Sequence, residues 1–180
     1  EDEKIFFLTA RNSGAEAAIK ASMLLQAKNS ALTSVELTAR RKACFCERAG
    51  EEKTFCPFSR GYYDRSMSAT NELLSLGSAV KSEIEKVAEK HSVCPFELSL
   101  DTATWADIVV GDLNYVFDPY VALKRFQDRE RFILLIDEAH QLADRVKEML
   151  SASLALETNT LLALTSPEVG ASIVNIEMKI

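Results

Sequence analysis

Short apolar runs alternate with longer segments of helical spacing along most of the chain. Strands are predicted where the runs are apolar or alternate strictly, at residues 4–9, 32–37, 106–110 and 131–136. Helices are predicted where apolar residues recur every three or four positions, at residues 15–27, 68–90, 115–126 and 139–150. Strands that are apolar throughout are typical of parallel sheets covered on both faces. The alternation therefore predicts an α/β fold with a parallel sheet.

The segment from residue 38 to residue 100 interrupts this pattern. It holds all four cysteines and two Cys-Pro pairs, its spacing is helical, and no strand is predicted in it. We interpret it as a cysteine-bearing, mostly helical insertion between two α/β parts, residues 1–37 and 101–151. Residues 152–180 have a weaker pattern, in which a helix at 155–164 and a strand at 171–176 are predicted.

Composition indicates a folded protein. Of the 180 residues, 47% are hydrophobic and 27% are charged, and the net charge is −6, which excludes disordered and collagen-like classes. The apolar runs are too short to span a membrane, and the acidic start is unlike a signal peptide. We therefore expect a cytoplasmic protein that does not contact membranes. In a reducing compartment, clustered cysteines indicate metal or redox chemistry more often than disulfides.

Two acids follow the most apolar strand. Residues 132–136 (FILLI) run directly into Asp137, Glu138, Ala139 and His140. The carboxyl end of a parallel strand opens into the crevice where α/β proteins bind ligands. There, Asp137 could hold Mg²⁺ against nucleotide phosphates, and Glu138 could orient and deprotonate the attacking water. The alternative is a helix start with Asp137 at the N-cap and Glu138 in the first turn.

The cysteines are spaced C-x-C-x9-C-x37-C, at Cys44, Cys46, Cys56 and Cys94. This is not the paired CxxC pattern of structural zinc sites. Cys56 and Cys94 each precede Pro-Phe, and Pro favours the first helical position. Both thiolates are therefore predicted at helix N-termini, which stabilise negative charge and suit an iron–sulfur cluster. Four buried cysteines without a ligand, a four-thiolate zinc site and disulfides are the alternatives.

Two segments could bind nucleic acid. Residues 40–65 contain seven basic and four acidic residues with interleaved Phe and Tyr, a combination that suits phosphate contacts and base stacking on a single strand. A solvated face over a local aromatic core is the alternative. Residues 9–14 (TARNSG) form a polar turn after the first strand, which could present N–H groups and Arg11 to phosphate.

Taken together, these motifs resemble the iron–sulfur DNA helicases of superfamily 2, the XPD/DinG group. Residues 7–13 (FLTARNS) resemble motif Ia, and residues 137–140 (DEAH) resemble motif II. The cysteine segments resemble those of the family at residues 40–44 (RRKAC), 56–64 (CPFSRGYYD) and 93–97 (VCPFE), and residues 106–110 and 114–119 resemble the strand and turn before motif II. The resemblance implies part of a RecA-like motor domain 1 with an iron–sulfur insertion.

The resemblance also implies a function and residue roles. It implies an ATP-dependent helicase that moves 5′→3′ on single-stranded DNA and unwinds fork or junction DNA. Asp137 would hold Mg²⁺, Glu138 would be the catalytic base, and His140 would link nucleotide state to the rest of the motor. The four cysteines would bind a [4Fe–4S] cluster. The residues implied to contact DNA, or to support those that do, are Thr9, Arg11, Asn12, Arg40, Arg41 and Lys42.

The chain departs from this family pattern in three respects. It has no G-x-x-x-x-G-K-[ST] loop, so we expect it to begin downstream of that loop, with exposed sheet edges, and to be inactive without the rest of the helicase. Cys46 is closer to Cys44 than the second cysteine of the family usually is. Residues 152–180 match no motif and would lie where the arch domain begins, with motor domain 2 absent.

Two further hypotheses stay open. One is a stand-alone metal-dependent nucleic-acid-binding module without catalysis, and the other is a nucleotide sensor that keeps motif II without turnover. The acidic, compact chain with its short insertion suggests a bacterial, nucleoid-associated protein, and the resemblance implies DNA repair.

Overall fold

The fold is built on one parallel sheet. A computed structural model describes residues 4–46, 56–118 and 132–151 of the chain. The strands are β1 (Lys4–Thr9), β2 (Ser34–Glu36), β3 (Ser78–Ala79), β4 (Ile108–Asp112) and β5 (Phe132–Ile136). They are ordered β3-β2-β4-β1-β5, and every pairing is parallel. The predicted α/β class with a parallel sheet is therefore confirmed.

Helices connect the strands, as a parallel sheet requires. They are α1 (Asn12–Lys28), α2 (Arg40–Ala43), α3 (Tyr62–Leu76), α4 (Lys81–His91), α5 (Pro95–Trp105), α6 (Asn114–Phe117) and α7 (Leu142–Met149). A short 3₁₀ turn, Ala139–Gln141, precedes α7. The continuation of the helix predicted at 115–126 lies outside the described residues, as do the helix predicted at 155–164 and the strand predicted at 171–176.

Alternating side chains of the strands serve two apolar layers. On one face, Phe6 and Leu8 of β1 belong to the main core, together with residues of α3, α4 and α5 such as Leu73 and Leu98. On the other face, β4 packs through Ile108 and Val110 against α1. The period of two along each strand explains this division, because successive side chains point to opposite faces. The cysteine-bearing segment thus shares its core with the sheet.

Two expectations for the cysteine-bearing segment were wrong. The helix predicted over 68–90 is two helices, because Gly77 has φ 75°, a conformation that glycine adopts readily and that ends α3. The two residues that follow form β3, which pairs with β2 through Ser34 and Ser78. The segment predicted to contain no strand therefore contributes an edge strand to the sheet.

The strand before the acidic pair lies at an edge of the described sheet. A strand as apolar as β5 is expected in the middle of a sheet, with both faces buried. In the described part of the structure β5 lies at the edge and pairs with β1. Phe132, Ile133 and Leu135 keep 41–46% of their surface exposed. Its position beside β1 nevertheless brings motif II next to the turn that follows β1.

Candidate functional site

The predicted motif Ia and motif II residues meet at the carboxyl ends of β1 and β5. The Thr9 hydroxyl donates a hydrogen bond to Asp137 Oδ2 at 3.2 Å, and it accepts one from the Arg11 N–H at 3.1 Å. The Asp137 N–H donates to the Leu8 carbonyl at 2.9 Å. These bonds fix the Asp137 carboxylate at the crevice edge of the sheet. The structure therefore brings together Thr9, Arg11 and Asp137, although Thr9 and Asp137 are 128 positions apart in sequence.

Gly14 is the residue of this site that the sequence motifs did not identify. It lies in the first turn of α1. A Cβ atom built there would lie 2.3 Å from Thr9 Oγ1 and 2.4 Å from Asp137 Oδ2. The absence of a side chain lets the start of α1 approach the carboxylate. The only sequence signal is a glycine at the end of the predicted polar turn at 9–14.

Glu138 occupies a position between two basic side chains. Its Oε1 is 3.6 Å from Arg11 Nη1, and its Oε2 is 3.5 Å from His140 Nδ1. Its backbone is left-handed at φ 53°, a conformation that costs a non-glycine residue about 1–2 kcal/mol. Such backbone strain is concentrated at functional sites. The left-handed residue turns the chain sharply after β5, and this turn places Glu138 before the 3₁₀ turn rather than inside a helix.

A cleft of about 320 Å³ lies next to this site. It lies along the carboxyl ends of β1, β2 and β4. Among its charged lining residues are Arg11, Glu16, Glu36, Lys42, Lys81 and Asp112. Of the predicted DNA contacts, Thr9, Arg11 and Lys42 line it. Lys81 was not predicted, because a single lysine at a helix start gives no sequence signal.

The other predicted DNA contacts lie elsewhere. Arg40 and Arg41 are exposed in α2, and the Arg40 guanidinium lies 5.8 Å from the centre of the Phe96 ring. Arg40 thus packs toward the helix that follows Cys94. Asn12 begins α1, but its side chain lies outside the described part of the structure.

The four cysteines lie within 51 residues of sequence, from Cys44 to Cys94. Cys44, Cys46 and Cys94 are buried, Cys56 is half-buried, and all four are free thiols. Cys46 Sγ lies 3.0 Å from Cys56 Sγ. Cys94 is the N-cap of α5, with Pro95 at the first helical position, as predicted. Cys56 is followed by turns, and the next described helix begins at Tyr62, so its predicted place at a helix N-terminus was wrong.

Local hydrogen bonds act differently on two of the thiols. Burial raises the pKa of Cys56, but bonds from Cys46, Phe58 and Ser59 outweigh it and hold that pKa below the ordinary value. Burial also raises the pKa of Cys94, and there it outweighs the N–H groups of Glu97 and Phe96. Cys56 is therefore the more readily ionised of the two, and a bound metal ion would stabilise both thiolates.

The four thiols have the donor chemistry of an iron–sulfur or zinc site, because both bind cysteine thiolates. Within residues 4–46, 56–118 and 132–151, however, no three or more Cys, His, Asp or Glu side chains are grouped to hold a metal ion. The described arrangement brings Cys46 and Cys56 together. The charge of an ionised Cys44 also raises the pKa of Cys94, so these two thiols interact electrostatically. The donor set fits, and a metal would have to draw its members closer.

A buried tyrosine is hydrogen-bonded to α5, the helix that follows Cys94. Tyr62, the first residue of α3, donates its hydroxyl hydrogen to Asp101 Oδ2 of α5 at 2.7 Å. Burial is the main cause, and this bond the second, that raises the pKa of Tyr62 well above its ordinary value. The tyrosine therefore stays neutral and ties α3 to α5. This pair could not be predicted from local sequence, because its members are 39 positions apart.

The carboxylate pair and the threonine thus lie at the carboxyl edge of a parallel sheet, where α/β folds bind their ligands. The DEAD_2 family model matches residues 15–159, and the chain belongs to that family. This membership confirms the predicted relation to XPD-type superfamily 2 helicases.

Individual relatives agree with the family assignment. The chain is 27% identical over 118 residues to a regulator of telomere elongation helicase 1 homolog of Caenorhabditis briggsae, and 28% identical over 131 residues to that of Caenorhabditis elegans. These matches cover 65% and 72% of this chain but 12% and 13% of the relatives. The chain thus spans about an eighth of their length. Both relatives are from nematodes, so the comparisons do not support the predicted bacterial origin.

The fold has a solved counterpart. A structure described as truncated XPD aligns with a TM-score of 0.54 and 18% identity, over 92% of this chain and 48% of that chain. The similarity shows a shared fold. In the described residues, no helix combines the length and apolar character needed to cross a membrane.

Proposed function

We propose that the chain is part of a longer ATP-dependent DNA helicase that translocates 5′→3′ on single-stranded DNA and unwinds forks or junctions. Residues 1–37 and 101–151 belong to its motor domain 1, and residues 38–100 to its metal-bearing insertion. The phosphate-binding loop, the arch into which residues 152–180 lead, and motor domain 2 would be supplied by the rest of the protein. Family membership supports the helicase class.

One observation carries the proposal. The Asp137 carboxylate is held by Thr9 at the carboxyl edge of the sheet, and Glu138 lies beside it in a strained turn. Oxygen ligands of this kind suit Mg²⁺. We infer that Asp137 holds the ion that neutralises the phosphates of ATP. Glu138 accepts a proton from the attacking water, and His140, 3.5 Å from Glu138, orients that carboxylate.

Hydrolysis in the full-length protein tests this proposal. Purified protein is incubated with ATP and Mg²⁺, with and without oligo-dT, and then with duplexes carrying either a 5′ or a 3′ single-stranded tail. We expect hydrolysis that is stimulated by oligo-dT and unwinding that requires the 5′ tail. Hydrolysis that is indifferent to DNA, or unwinding from the 3′ tail, would contradict the proposal. DNA binding without hydrolysis would favour a non-catalytic nucleic-acid-binding module.

We also propose that Cys44, Cys46, Cys56 and Cys94 hold a [4Fe–4S] cluster. The burial of Cys44, Cys46 and Cys94 and the proximity of Cys46 to Cys56 support a common ligand. The cluster would brace the insertion next to Arg40 and the DNA path. Anaerobic purification of the full-length protein followed by a visible spectrum and iron and sulfide analysis tests this. Broad absorption near ~400 nm is expected. Stoichiometric zinc without iron would contradict the cluster and indicate a zinc site.

Cys46 is the ligand whose spacing departs from the family pattern, so we test it separately. Replacing Cys46 with Ser is expected to lower iron content sharply, because a hydroxyl is a poor substitute for a thiolate ligand. Iron and sulfide per protein are measured after anaerobic purification. Ser75→Ala, which removes an exposed hydroxyl of α3 that donates to the Asn71 carbonyl, is the control and should retain iron. Full iron in Cys46→Ser would remove Cys46 from the ligand set.

A further inference from the structure

Arg11 is placed where two different anions could compete for it. Its Nη1 lies 3.6 Å from Glu138 Oε1, and its side chain is 60% exposed. It also lines the cleft together with Lys42 and Lys81. One guanidinium therefore faces both the carboxylate proposed as the catalytic base and a cleft of mixed charge, lined by three basic and three acidic side chains.

The pair with Glu138 is weak enough to be exchanged. Ion pairs this exposed contribute about 0.2–1 kcal/mol. A phosphate can accept two parallel N–H bonds from one guanidinium, a stronger arrangement than a single long contact. If Arg11 turned toward such a phosphate, Glu138 would keep the contact of its Oε2 with His140 at 3.5 Å, and its Oε1 would be freed to accept a hydrogen bond from water.

We propose that Arg11 is a positioning residue shared between Glu138 and the backbone of single-stranded DNA, so that DNA binding releases Glu138 for catalysis. The inference rests on the proposed function and deepens it, because it assigns the coupling between DNA and ATP to one side chain. Coupling free energies between two binding events are reciprocal. The ion pair with Glu138 should therefore lower the affinity of Arg11 for DNA. That reciprocity can be measured without any ATP turnover.

The test is a double-mutant cycle on DNA affinity. The full-length protein, without nucleotide, is titrated into fluorescein-labelled oligo-dT, and the anisotropy gives Kd. Glu138→Gln is compared with Glu16→Gln, which removes the same charge from the lining of the neighbouring cleft. We expect Glu138→Gln to tighten binding about two- to fivefold more than Glu16→Gln does, as release from an exposed ion pair implies. In an Arg11→Ala background this excess should vanish.

Equal effects of the two Gln variants, or an excess that persists without Arg11, would overturn the inference. A second readout is ATP turnover. Arg11→Ala should raise the DNA-free rate about two- to fivefold and reduce the stimulation by saturating oligo-dT, whereas Arg11→Lys should fall between Ala and wild type. A lowered DNA-free rate in Arg11→Ala would also overturn it. The proposed function fails separately, if the wild-type protein shows no DNA-stimulated hydrolysis.

Discussion

Replacing Glu138 with Gln in the full-length protein is expected to lower kcat for ATP hydrolysis by about 10²–10⁴-fold, the usual contribution of a positioned general base. The amide keeps the size of the side chain but cannot accept the proton from the attacking water. ATP affinity should change little, because Asp137 and its bond from Thr9 are left in place. Steady-state hydrolysis at saturating oligo-dT, together with binding of a fluorescent ATP analogue, separates the two effects.

Glu148→Gln is the matched control. Glu148 lies in α7, ten residues farther along the chain, and its side chain is 78% exposed. Surface changes of this kind usually alter the free energy of unfolding by no more than about 0.5 kcal/mol, so kcat should stay close to that of the wild type. A Glu138→Gln enzyme that keeps more than about a tenth of wild-type kcat would exclude Glu138 as the base. An equal loss in Glu148→Gln would indicate a general effect of charge.

The sheet was predictable because its strands carry their own signal. Strand β1 is apolar on both faces, and each face proved to be covered, by α1 on one side and by the cysteine-bearing helices on the other. The acidic pair after β5 was equally visible. The apolar sequence of β5 did not predict its place at the edge of the described sheet, because burial depends on what covers a strand. In the described residues, β1 is the strand that pairs with β5.

The break between α3 and α4 shows a different limit. Apolar residues continue at helical spacing from Leu73 through Val80 to Ile84, so periodicity alone predicts one helix. Gly77 was the available signal, and its φ of 75° ends α3. Strand β3 was not predictable, because its two residues are too few to establish a period. Its identity as a strand comes from pairing with β2, a long-range contact that local sequence does not encode.

Within the site, the residues that belong to sequence motifs were predicted. The residues that matter only through their neighbours in three dimensions were not. Asp137 and Thr9 follow recognisable strands, and the carboxyl ends of parallel strands meet at one edge. Gly14 and Lys81 are significant only because of what lies near them in three dimensions. The pairing of Arg11 with Glu138 likewise needed the sheet order, since β1 and β5 are neighbours in space and distant in sequence.

Gly14→Ala is expected to destabilise the protein by about 1–3 kcal/mol, the typical cost of overpacking. The sign is diagnostic, because exchanging Gly for Ala in a helix otherwise stabilises by about 0.5–1 kcal/mol. The new methyl group would lie 2.3 Å from Thr9 Oγ1 and 2.4 Å from Asp137 Oδ2. Either α1 or the Asp137 carboxylate must therefore move. A displacement of about 1 Å at a catalytic group can lower the rate about 10²-fold.

Ala17→Ser, which adds one heavy atom on the exposed side of α1, is the control and should leave both stability and rate nearly unchanged. Urea unfolding of the full-length protein measures the first quantity, and DNA-stimulated hydrolysis across a Mg²⁺ titration measures the second. Because Asp137 is the proposed Mg²⁺ ligand, Gly14→Ala should need more Mg²⁺ for half-maximal rate. A Gly14→Ala protein that is more stable than wild type and has an unchanged Mg²⁺ requirement would show that α1 does not press on this carboxylate. In that case the close approach of α1 would not be needed for ion binding.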